Sequence, residues 1–192
     1  MWPFRLKNSI FFSGAVALTL ALAVGAGCSS HPDTGQWVGD LVTASDYEAV
    51  AGWVPGATSL SRDHAHSGRF ADRIDAEHTF GLTFQLPLNQ ASVHALRGLE
   101  VDAWTYFSSL KSGGVLEVQV WAHGPGQDAK PLYSEHLALR EQVTDSCRWT
   151  PVHQRFTLPD NLPGDASLRL FIWGNPSTRP VYFDDLRVKA LE

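Results

Sequence analysis

Short segments in which apolar and polar residues alternate one for one recur along this chain, separated by Gly, Pro and Asn turns. Phe80, Leu82, Phe84 and Leu86 alternate with Thr79, Gly81, Thr83 and Gln85. Leu99, Val101 and Ala103 alternate with Glu100, Asp102 and Trp104, and Leu116, Val118 and Val120 with Glu117, Gln119 and Trp121. Leu168, Leu170 and Ile172 alternate with Arg169, Phe171 and Trp173. A period of two sends one set of side chains to a core and the other away from it, and no long run keeps the 3.6-residue period of a helix. The pattern predicts an all-β fold, an antiparallel sandwich in one domain over residues 41–192. Tyr133 to Leu139 reads as a further strand, Arg140 to Cys147 as a loop, and Gln90 to Leu96 as one helical turn.

The last such stretch, Val181 to Val188, follows a turn signal at Asn175–Pro180. An unbroken period of two puts Tyr182, Asp184, Leu186 and Val188 on one face, so a carboxylate stands in line with core positions. It needs a cation or a set of backbone donors there.

The start of the chain is of another kind. Arg5 and Lys7 precede an apolar run, Ile10 to Val24, that ends at Gly25-Ala26-Gly27-Cys28. That order predicts an export signal over residues 1–27, too short for a lasting membrane span. Small residues directly before Cys resemble a lipobox, which implies lipidation of Cys28, with Gly25 where Leu is usual. Residues 28–40, with their Pro and Gly, read as a flexible tether. Ser29 replaces the Asp that holds lipoproteins at the inner membrane, so the expected address is the outer membrane of a bacterial envelope. The formal charge of −5 becomes more negative once Arg5 and Lys7 leave. An acidic chain without a basic run argues against nucleic acid. Cys147 then lacks an intrachain partner and reads as a buried, inert thiol, with no disulfide framework.

Three islands in the predicted domain resemble the carbohydrate-binding modules of the CenC type, with a galactose-binding-like jelly-roll fold. They are Asp46-Tyr47-Glu48 with Gly52-Trp53, then Ala65-His66-Ser67-Gly68-Arg69-Phe70, then Val181 to Val188. The Trp149-Thr150-Pro151-Val152 segment and a strand ending in Ala103-Trp104 fall between them in the same order. The resemblance implies a structural calcium joining the first strand, the turn before the second and the last strand. Its side-chain ligands would be Glu48 and Asp184, with backbone oxygens around Ser67. Oxygen ligands of both kinds suit calcium.

With the aliphatic sets inward, the opposite face would carry Glu100, Asp102, Trp104 and Tyr106, then Glu117, Gln119, Trp121 and His123, then Arg169, Phe171 and Trp173. Aromatic rings among carboxylates, an amide and a guanidinium match sugars, which present flat C–H faces ringed by hydroxyls. Trp104, Tyr106, Trp121 and Trp173 would stack on sugar rings, and Asp102, Glu117, Gln119 and Arg169 would bind hydroxyls. The competing arrangement is a loop, Arg140 to Arg148, folding over these rings as a second small core. Glu100-Val101-Asp102 resembles half of the E-x-D-x-E signature of jelly-roll glucanases, but Trp104 stands in the third position and only Glu117 could replace the missing acid. His64 and His66 read as surface residues of a polar loop. The expectation is a non-catalytic, lipid-anchored, glycan-binding sandwich. The alternative is an envelope adhesion protein that binds another protein through the same fold.

Overall fold

The computed structural model describes residues 41–122, 130–174 and 179–191. The export signal, Cys28, the tether, His123 and the turn at residues 175–178 lie outside the described residues. The strands are β1 (Leu41–Ser45), β2 (Leu60–Ser61), β3 (Ala71–Ile74), β4 (Phe84–Pro87), β5 (Gly98–Phe107), β6 (Val115–Trp121), β7 (Tyr133–Ala138), β8 (Trp149–Thr157), β9 (Ser167–Trp173) and β10 (Val181–Leu191). One helical turn, α1 (Leu88–Ala91), follows β4, two residues earlier than its sequence signal. Among the described residues no helix is long and apolar enough to cross a membrane.

Two antiparallel sheets result, as the alternation requires. A six-stranded sheet runs β2-β3-β10-β5-β8, with β1 also pairing β10, and a four-stranded sheet runs β4-β9-β6-β7. Leu99, Val101 and Ala103 of β5 and Val152 and Phe156 of β8 are buried on the inner side of the first. Leu116, Val118, Val120, Leu168, Leu170 and Ile172 of β6 and β9 are buried on the inner side of the second. Each large aliphatic side chain so placed stabilises the fold by about 1.5–3 kcal/mol. The Arg140–Cys147 segment is mostly loop after a 3-10 turn at Leu139–Glu141.

β10 departs from its expected register. Asp184 pairs with Trp104, but Arg187 pairs with Asp102, so one extra residue is accommodated between them. Asp185 takes a left-handed φ of 49°, which Asp tolerates better than most residues. The bulge reverses the side-chain phase. Phe183 points inward before it, Leu186 and Val188 after it, whereas Tyr182 and Asp184 share the outer side with Tyr106 and Trp104. Asp184 is therefore not in line with Leu186 and Val188, although it is fully buried.

The acid that does face the core is Asp72 on β3, opposite the inward Phe183. Burial pushes its pKa up to about 6, opposed by hydrogen bonds from Ser59 and the Leu82 amide. Its Oδ2 accepts from Leu82 N–H at 2.8 Å, and its Oδ1 has no partner. Gly81 makes room for it, since a Cβ there would lie 2.1 Å from Oδ2. This contact breaks the alternation expected from Phe80 to Leu86. Regular pairing starts only at Phe84, and Phe80, expected in the core, is 61% exposed and bridges to Trp173. Cys147 also differs from expectation, being exposed, in a left-handed turn at φ 60°.

Candidate binding site

The expected binding face divides in two. Asp102, Trp104 and Tyr106 lie on the outer side of the six-stranded sheet; Glu117, Gln119, Trp121, Arg169 and Trp173 lie on the outer side of the four-stranded sheet. The period of two separated inward from outward correctly, but the two sheets turn their outer sides in opposite directions. Glu117 therefore cannot supply a second carboxyl beside Glu100, and the paired acids of a retaining glycosidase do not form from these two residues. Glu100 is instead held by Arg155 at 2.7 Å and Lys189 at 3.0 Å, and hydrogen bonds from Lys189 and Arg155 keep its pKa low.

On the six-stranded side the chain covers its own rings. His66 stacks on Trp104 with centroids 3.9 Å apart and planes 13° apart, and His64 stacks on Tyr106 at 4.3 Å. Trp149 meets both His66 and Tyr106. The rings stacked on Trp104 and Tyr106 come from the loop between β2 and β3, which the bulge in β10 holds, while Cys147 of the Arg140–Arg148 segment contacts Tyr106. Asp184 Oδ2 accepts from the His66 and Ser67 amides at 2.7 and 3.2 Å, and Oδ1 accepts from Asp185 N–H at 2.7 Å. Burial raises the Asp184 pKa and these amides oppose the rise. Asp185 receives His66 Nδ1 at 2.5 Å and the Ser67 hydroxyl at 2.7 Å. Asp102 is occupied by His153 Nδ1 at 2.7 Å.

Glu48 does the same work from the other end of that loop. Its Oε1 accepts from Arg69 N–H at 2.5 Å and Phe70 N–H at 2.7 Å, and these bonds, the Arg69 amide foremost, lower its pKa. Every carboxylate oxygen of Glu48 and Asp184 thus faces an N–H donor, the wrong polarity for the surroundings of a cation. The pair does not fit a shared calcium; it fastens the β2–β3 loop by hydrogen bonds. Glu100, Asp102 and His153 bring three ligand atoms within 4.8 Å of one another and could hold a metal ion, in competition with Arg155 and Lys189.

The four-stranded side is built differently. Glu117, only 7% exposed, accepts from the Ser134 hydroxyl at 2.5 Å, Gln119 Nε2 at 3.2 Å and Trp173 Nε1 at 3.3 Å. Gln119 Oε1 accepts from Trp121 Nε1 at 2.7 Å. The Arg169 guanidinium lies 5.2 Å from the Trp121 ring centre, and its Nε is buried without a protein partner. Phe80 extends the aromatic row, 6.4 Å from Trp173 and 6.2 Å from Phe171. Cross-strand register produces this set: Gln119 opposes Arg169, Glu117 opposes Phe171, and Trp173 opposes Val115. Ser134 and Phe80 were not among the expected residues. Ser134 gave no signal in sequence, and the alternation from Phe80 to Leu86 placed Phe80 with the inward set.

No family model and no curated protein matches the sequence. Solved structures do. A family 16 carbohydrate-binding module superposes with a TM-score of 0.52 at 18% identity, over 79% of this chain and 99% of that one. A xylan-binding family 22 domain from Paenibacillus barcinonensis gives 0.47 at 12% identity, over 82% and 99%. The C-terminal family 22 module of a Clostridium thermocellum protein gives 0.49 at 11%, over 80% and 96%. At 18% identity the likeness to the first is one of fold. The chain has the antiparallel β-sandwich fold of a carbohydrate-binding module.

Proposed function

We propose that this protein is a non-catalytic carbohydrate-binding sandwich, and that the outer side of the four-stranded sheet is its binding surface. The hydrogen-bonded run Trp121–Gln119–Glu117–Trp173 carries the reading. It fixes two indole rings and the planar polar groups between them before any ligand arrives, which lowers the ordering cost of binding. Trp121, Trp173 and Phe80 offer faces for sugar C–H groups, while Glu117, Gln119 and Arg169 offer hydroxyl partners. Glu117 and Arg169 balance in formal charge, so an uncharged polysaccharide suits the face best. Trp104 and Tyr106 serve the second, self-covered face and brace the β2–β3 loop, and Asp102 on that face pairs with His153. The fold likeness to a carbohydrate-binding module supports the reading without carrying it.

In this proposal a lipid on Cys28 holds the domain at the outer membrane of a bacterial envelope, and residues 28–40 give it reach. Replacing Cys28 with Ala should release the protein to the soluble fraction; continued membrane association would remove the anchor from the proposal.

Affinity electrophoresis through gels of neutral polysaccharides tests the binding surface. At least one polysaccharide should retard the protein, and Trp121→Ala and Glu117→Gln should each abolish the retardation with the melting temperature near the parent value. Unaltered retardation of both variants would move the site elsewhere. No retardation by any polysaccharide, together with a protein retained stoichiometrically through Phe80 and Trp173, would favour the adhesion reading, which the 61% exposure of Phe80 makes specific.

A further inference from the structure

At one edge of the sandwich the two sheets part around an apolar cavity of about 340 Å³. Leu116, Leu170 and Ile172 line it from the four-stranded sheet, and Phe183, Leu186 and Tyr47 line it from the other side. These residues are otherwise close-packed, each 7% exposed or less. A void of this size is costly in an interior packed like an organic crystal, and water inside it would find few partners. The cavity opens past Thr43, Ser45, Asp46 and Thr83, and among the described residues Asp46 is the one charged residue lining it.

We infer that this cavity binds a single alkyl chain of an uncharged amphiphile. Size sets the scale: a hydrophobic cavity of about 150 Å³ is enough for benzene, and this one has roughly twice that space. Shape sets the class. Packed sheets stand about 10 Å apart with side chains projecting from both, which leaves a slot one chain thick rather than a chamber for a folded or multi-ring ligand. Charge sets the head group. The Asp46 carboxylate at the mouth, with no cation in the lining among the described residues, repels an anionic head, so an alcohol or other neutral head is accepted over a carboxylate. The mouth lies between β1 and the segment leading into β4, apart from the Trp121–Gln119–Glu117–Trp173 run. Trp121, Gln119, Glu117 and Trp173 do not line the cavity, and it borders the polysaccharide surface proposed above at Phe171, 6.2 Å from Phe80.

The test uses the full chain with labelled methyl groups, titrated with 1-decanol and followed by methyl NMR. Saturable shifts should appear at Leu116, Leu170 and Ile172. Sodium decanoate at pH 8 should bind at least tenfold more weakly than decanol. Thr43→Trp, on the side of β1 that faces inward with its partner Val188, should weaken decanol binding at least tenfold, and Val50→Trp provides a second block should the first disturb the strand. Trp173→Ala should leave decanol binding unchanged. Absence of saturable shifts, equal binding of decanol and decanoate, or full binding by both blocked variants would each overturn the inference.

Discussion

On the outer side of the six-stranded sheet, Trp104 and Tyr106 lie beneath imidazole rings supplied by the chain itself. On the outer side of the four-stranded sheet, Trp121 and Trp173 are instead pinned edgewise through their indole N–H groups, by Gln119 and Glu117. Both sides carry aromatic residues and carboxylates on alternate strand positions, so composition does not distinguish them. The placement of hydrogen bonds does. Stacking from above consumes the flat face of a ring, the part a sugar would use, whereas an edge bond leaves that face for a ligand. The first side has spent its aromatic surface on holding a loop; on the second, Arg169 lies over one face of Trp121 and Phe80 beside Trp173, and no loop is stacked on either indole among the described residues.

The contrast can be broken most forcefully at the fastening of the covered side. Asp184→Ala removes a buried acceptor of three N–H groups, and unfolding in urea should register a loss of about 3–5 kcal/mol, with His66 no longer stacked on Trp104. A loss below about 1 kcal/mol would mean that Asp184 does not hold the loop.

Asp72 gives the next effect, through pH. Its pKa rises from the ordinary 3.8 to about 6 on folding, so the folded state prefers the protonated acid. Stability from this group is present in full below the unfolded value and is lost as pH rises through about 6, worth about 3 kcal/mol at most. Glu48, Asp75 and Glu100 are shifted down, so their contribution is present above their unfolded values and is lost as pH falls through their lower folded values. Melting temperature should therefore rise from pH 7.5 to about pH 5 and fall below it. In Asp72→Asn the rise above pH 5 should flatten; an unchanged profile would assign it to another group.

Trp104→Ala should come third, costing about 2 kcal/mol by leaving His66 without its stacking partner. The same change at Trp121 should cost less, because the ring lies under a single guanidinium. Equal losses would erase the distinction between the faces. The smallest effect belongs to Glu100→Gln, an ion pair near the surface, where about 1 kcal/mol or less is expected in thermal unfolding. Calcium and chelator should leave the melting temperature unchanged, because amides already occupy Glu48 and Asp184; a rise with calcium would reopen that site.

The strands, their inward residues and the class of fold were legible because a period of two survives in β5, β6 and β9 without interruption. What periodicity cannot encode is which sheet a strand joins. Trp104 and Trp121 follow the same rule along their own strands, yet pairing sends β5 to β10 and β8 and sends β6 to β9 and β7. The bulge was equally hidden, since Asp185 adopts its left-handed turn only where β10 must pass from β3 to β1. The inward acid was hidden as well, since the close approach of Gly81 to Asp72, which leaves room for an inward carboxylate, comes from how the fold brings its segments together rather than from any local pattern. Glu48 and Asp184, which the resemblance ties to the turn at residues 66–70, both accept hydrogen bonds from its amides.

The central claim is that one outer face binds and the other braces. Isothermal titration of a retained neutral polysaccharide into Trp173→Ala and Trp104→Ala, side by side, tests it most directly. Trp173→Ala should weaken affinity at least tenfold, about 1.4 kcal/mol, while Trp104→Ala binds like the parent at a temperature where both are folded. Binding lost in Trp104→Ala and kept in Trp173→Ala would contradict the account.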